Sequence, residues 1–107
     1  MSFIQVMTTT ETREQAQAIA RHLIEKKLAA CVQITGVIES MYLWRGKLEY
    51  SREYLCLIKT REDLFDEVET AIKNLHAYET PEIIAVPIVK GSKEYLTWLA
   101  DTGAGNP

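Results

Sequence analysis

Ala30-Cys-Val-Gln-Ile-Thr-Gly-Val-Ile-Glu-Ser-Met-Tyr-Leu-Trp44 runs into Arg45-Gly46 and out again as Lys47-Leu-Glu-Tyr-Ser-Arg-Glu-Tyr-Leu-Cys-Leu-Ile-Lys59. Both arms carry the β-branched and aromatic residues that fit a pleated surface, and Arg45-Gly46 is a short turn, so the stretch predicts one long β-hairpin. Gly36 marks a bulge or bend in the outgoing arm. In the return arm Tyr54, Cys56 and Ile58 alternate with Leu55 and Leu57, which predicts burial on both faces. An arm of this length spans about 43 Å at ~3.3 Å per residue. A folded chain of this size is only about 30–35 Å across, with a radius of gyration of about 13 Å. The hairpin must therefore bend or project beyond its domain, carrying Met41, Tyr42, Leu43, Trp44, Leu48 and Tyr50 at its tip. So large an apolar load is an aggregation hazard unless another chain covers it, which predicts pairing with neighbouring subunits in a closed ring. The alternative is a strand broken at Gly36 and folded back on its own body.

Working outward, Phe3 to Thr9 is β-branched and apolar and reads as a buried strand. Thr12 with Gln15 makes a capping box for a helix over 12–27, with Ala16, Ile19, Ala20, Leu23 and Ile24 as its apolar stripe. Thr60 is placed to cap a second helix carrying Leu64, Phe65, Val68, Ile72 and Leu75. Glu82 to Val89 reads as a last strand, and Pro87 assigns it to a sheet edge. A short third helix starts at Ser92 and packs Tyr95, Leu96 and Leu99. The order is β-α-β-β-α-β plus a C-terminal helix, an α+β ferredoxin-like sandwich over a single domain, 1–102, with 103–107 as a flexible tail.

The 107 residues, 47% hydrophobic and 25% charged, have the balance of one globular domain. A formal charge of −3 excludes a broad basic surface for nucleic acid. No apolar run reaches the roughly 20 residues of a membrane helix, and the opening residues lack the pattern of a signal peptide. Cys31 and Cys56 form no C-x-x-C pair, and pairing outward from the turn sets Cys31 opposite Thr60, so no hairpin disulfide is expected. A reduced, cytoplasmic domain without membrane or nucleic-acid partners follows. Catalysis is not expected. The loop Thr8-Thr-Thr-Glu-Thr-Arg13 has no glycine to wrap a phosphate, and no Ser-His-Asp or Cys-His set can be assembled. The third strand also lacks the aromatic pattern of an RNA-recognition sheet.

Lys27-Leu-Ala-Ala-Cys-Val32, Ser40-Met-Tyr-Leu-Trp-Arg-Gly-Lys-Leu48, His76-Ala-Tyr-Glu-Thr-Pro-Glu82 and Tyr95-Leu-Thr-Trp-Leu99 together resemble the divalent-cation tolerance family, CutA. The resemblance implies the same sandwich, a homotrimer built through the hairpin strands, and a non-catalytic role in tolerance of copper or other divalent metals. It also implies a copper(II) site from a cysteine and two adjacent histidines, positions that are Thr8, Leu75 and His76 here. Only His76 survives as a metal ligand, and the loss of thiolate and imidazole removes two of three strong donors. The alternative for His76 is a hydrogen bond that ends the second helix. Trp44, Lys59, Tyr78, Glu79 and Glu82 match family positions around a cleft between subunits, where Lys59 and Glu82 either hold a polar ligand or lock the trimer as an ion pair. A second function is therefore open: a trimeric signalling or scaffold protein, similar in shape to PII regulators, that binds a small ligand or a protein partner in its clefts.

Overall fold

The computed structural model describes residues 1–101, so the expected flexible tail, 103–107, lies outside the described residues. The elements are β1 (Phe3–Thr10), α1 (Arg13–Glu25), β2 (Cys31–Trp44), β3 (Lys47–Arg61), a 3-10 turn (Glu62–Leu64), α2 (Phe65–Leu75), β4 (Ile84–Pro87) and α3 (Lys93–Ala100). One antiparallel sheet takes the order β2-β3-β1-β4, which leaves β2 and β4 at the edges, β4 as Pro87 led us to expect. Ile4, Val6, Cys56 and Ile58 point from the two central strands onto Ala16, Ile19 and Leu23 of α1 and Val68, Ala71 and Ile72 of α2, and this is the core. On the opposite face α3 covers only the end of β3, where Arg61 donates to the Ala100 carbonyl at 3.4 Å and Leu99 is buried, while Ile84 and Val86 are 50% and 41% exposed there.

α1 begins where Thr12 accepts a hydrogen bond from the Gln15 amide at 3.1 Å and ends two residues sooner than expected. Lys27 adopts φ +60°, and the Lys27 and Leu28 amides turn back onto the carbonyls of Ile24 and Leu23. That is a Schellman stop with lysine in the usual glycine position. Ile24 is exposed on the flank of the stripe rather than within it. Thr60 does not cap α2. Strand alternation buries it, β3 continues to Arg61, and its hydroxyl donates to the Leu28 carbonyl at 2.7 Å. Leu75 and Tyr95, expected in helix stripes, are exposed, whereas Leu99 is buried. Ser92 caps α3 as predicted. β4 is half its expected length and ends at Pro87, the residue that lacks an amide hydrogen for the ladder.

The hairpin is continuous and projects. Arg45 and Gly46 both take positive φ, 53° and 79°, which is the twist a two-residue turn needs. β1 pairs with β3 only as far as Thr10 opposite Tyr54, so everything from there to the tip extends past the third strand. The molecule is consequently 45 Å long but only 25 Å and 22 Å in its other dimensions. The register slips between Gly36 and Ile38, the expected bulge. That slip sets Cys31 opposite Lys59, one residue from the predicted Thr60, and Cys56 opposite Ile34; both cysteines are free.

Candidate functional site

A cavity of about 580 Å³ opens where the projecting hairpin passes the segment after α2. Period-two alternation explains its first wall. Ser40, Tyr42 and Trp44 lie on one face of β2, and cross-strand pairing puts Glu49 and Glu53 of β3 on the same face. Thr9, at the end of β1, forms the floor, and Tyr78, Glu79, Thr80 and Glu82 form the second wall. Two hydrogen bonds fix the aromatic rings. Tyr42 Oη and Ser51 Oγ are 2.6 Å apart, and Tyr78 Oη donates to Glu53 Oε2 at 2.8 Å. Glu53 is only 5% exposed. Burial first, then the bond to Glu53 and its negative charge, push the Tyr78 hydroxyl well above the usual phenol range, so it remains a donor at any ordinary pH. Four carboxylates line the cavity, and no lysine, arginine or histidine is among its lining residues.

His76 stands beside this cavity. Its backbone amide closes α2 by donating to the Ile72 carbonyl at 2.9 Å. The Tyr78 amide donates to Nδ1 at 3.0 Å, so the ring proton resides on Nε2 and is given to the Thr9 carbonyl, 2.6 Å away. The ring also packs on Tyr78 with centroids 4.7 Å apart. Both nitrogens are thus spent on orienting the segment that carries Tyr78, Glu79 and Glu82. The other two positions implied by the copper resemblance supply nothing better. Thr8 is fully buried with its hydroxyl unpartnered, and the Leu75 side chain has no donor atom. Cys56 lies in the core, where burial pushes its thiol up to about 11 and keeps it protonated. This donor set does not fit copper(II).

Of the residues expected around a cleft, the structure brings together Trp44, Tyr78, Glu79 and Glu82. Lys59 is placed elsewhere: it sits opposite Cys31 near the far end of β3 and its ammonium donates to Gln33 Oε1. Within one chain no ion pair joins Lys59 to Glu82 among the described residues, and the expected pairing is one between subunits. Sequence reasoning missed Glu53 and Glu49. Their signal was the four-residue spacing, which places both acids on one face of the strand, with Glu49 opposite Tyr42 and Glu53 opposite Ile38, but nothing local marked Glu53 as buried.

The chain matches the family model described as CutA1 divalent ion tolerance protein over residues 4–102. It is 44% identical over 97 residues to the divalent-cation tolerance protein CutA of Archaeoglobus fulgidus, covering 91% of this chain and 94% of that one. The solved structure of the periplasmic divalent cation tolerance protein CutA from that organism has a TM-score of 0.88 at 43% identity and covers 91% of this chain and 94% of that one. The divalent cation tolerance protein of Thermus thermophilus has a TM-score of 0.91 at 40% identity, with 94% of this chain and 97% of that one covered. CutA1 from Oryza sativa has a TM-score of 0.90 at 43% identity, covering 92% of this chain and 91% of that one.

Proposed function

The chain belongs to the CutA1 divalent ion tolerance family, and from that premise we propose that it is a non-catalytic homotrimer that holds a small ligand in the acidic cavity beside its hairpin. The observation that carries this reading is the contrast between two neighbouring sites. His76, the one surviving copper-ligand position, has both ring nitrogens committed to backbone groups. Glu53 is buried in the cavity wall with a tyrosine hydroxyl against it and, among the described residues of the chain, no ion pair. Trp44, Tyr78, Glu79 and Glu82 serve as ligand-cleft residues on this reading, and Lys59 serves the sheet face instead. The trimer is supported by Ile84 and Val86, exposed on the sheet face that α3 covers only in part, and by the tip, where Met41, Leu43, Leu48 and Tyr50 are all more than half exposed. A cytoplasmic location is supported by two unpaired thiols.

Copper(II) titration of the metal-free protein by calorimetry, alongside His76→Ala, tests the choice. No saturable uptake tighter than about 10⁻⁴ M, or ~5.5 kcal/mol, is expected for either protein. Saturable binding at one site per chain that His76→Ala weakens would return the metal to His76 and overturn the reading.

A further inference from the structure

We draw no further inference here: the strongest candidate, the groove between α1 and α2 lined by His22, Asp66 and Glu67, is a cluster of acids and one histidine in which nothing else in the structure points to a ligand, and no three such groups converge on a metal position among the described residues.

Discussion

Thr8 illustrates how a single residue separates fold from chemistry in this chain. It sits in the core with an unpartnered hydroxyl, at the position where the resemblance implies a copper-binding cysteine. A buried hydroxyl left unsatisfied costs about 1–3 kcal/mol, and replacement by an apolar group of the same shape removes that cost. Thr8→Val is therefore expected to stabilise the protein by about 1 kcal/mol in chemical denaturation, on the low side of that range. A variant less stable than the wild type would mean that the hydroxyl has a partner in the assembled protein. His76 is legible in part from sequence, as a residue that ends a helix. Its partners Thr9 and Tyr78 are not, because one of them lies 67 positions away.

At the scale of the element, the hairpin decides the site. Its bulge allows the arms to keep pairing to the tip while the register slips by one, and Gly36 is what makes room. A Cβ on Gly36 would approach the Tyr54 ring to 2.5 Å, and that ring is held between the core and Arg13, whose guanidinium lies 5.0 Å from its centroid. Gly36→Ala is expected to cost about 1–3 kcal/mol, as overpacking does, and to cost less in a Tyr54→Leu background. An equal cost in both backgrounds would place the strain in the backbone. The turn, the bulge and the edge position of β4 were all readable from Arg45-Gly46, Gly36 and Pro87, because each is a local backbone constraint. The end of β3 and the start of β4 were not, since they depend on which residues of β1 lie opposite them, Phe3 and Met7.

For the whole molecule, shape is the main clue. A chain that is 45 Å long with an apolar tip and a sheet face that α3 covers only in part has apolar surface that no part of the described chain covers. Light scattering at micromolar concentration is expected to give about 37 kDa, three times the 12.2 kDa chain, as the homotrimer requires. Leu43→Glu with Leu48→Glu is expected to lower that mass while leaving the helical circular dichroism signal in place. A wild-type monomer would remove the trimer from the proposed function.

By itself the sequence determined the element order, the sheet edges, the projecting hairpin and the family, because periodicity, turn residues and short motifs are local and survive without a partner. Only the tertiary structure decided the site. Within one chain it sets Lys59 apart from Trp44, Tyr78, Glu79 and Glu82, lines their cavity with Glu53 and Glu49, and spends both nitrogens of His76 on backbone groups. Those outcomes depend on residues distant in the chain, on a one-residue slip at Gly36 and on burial. None of these is encoded at the position it controls.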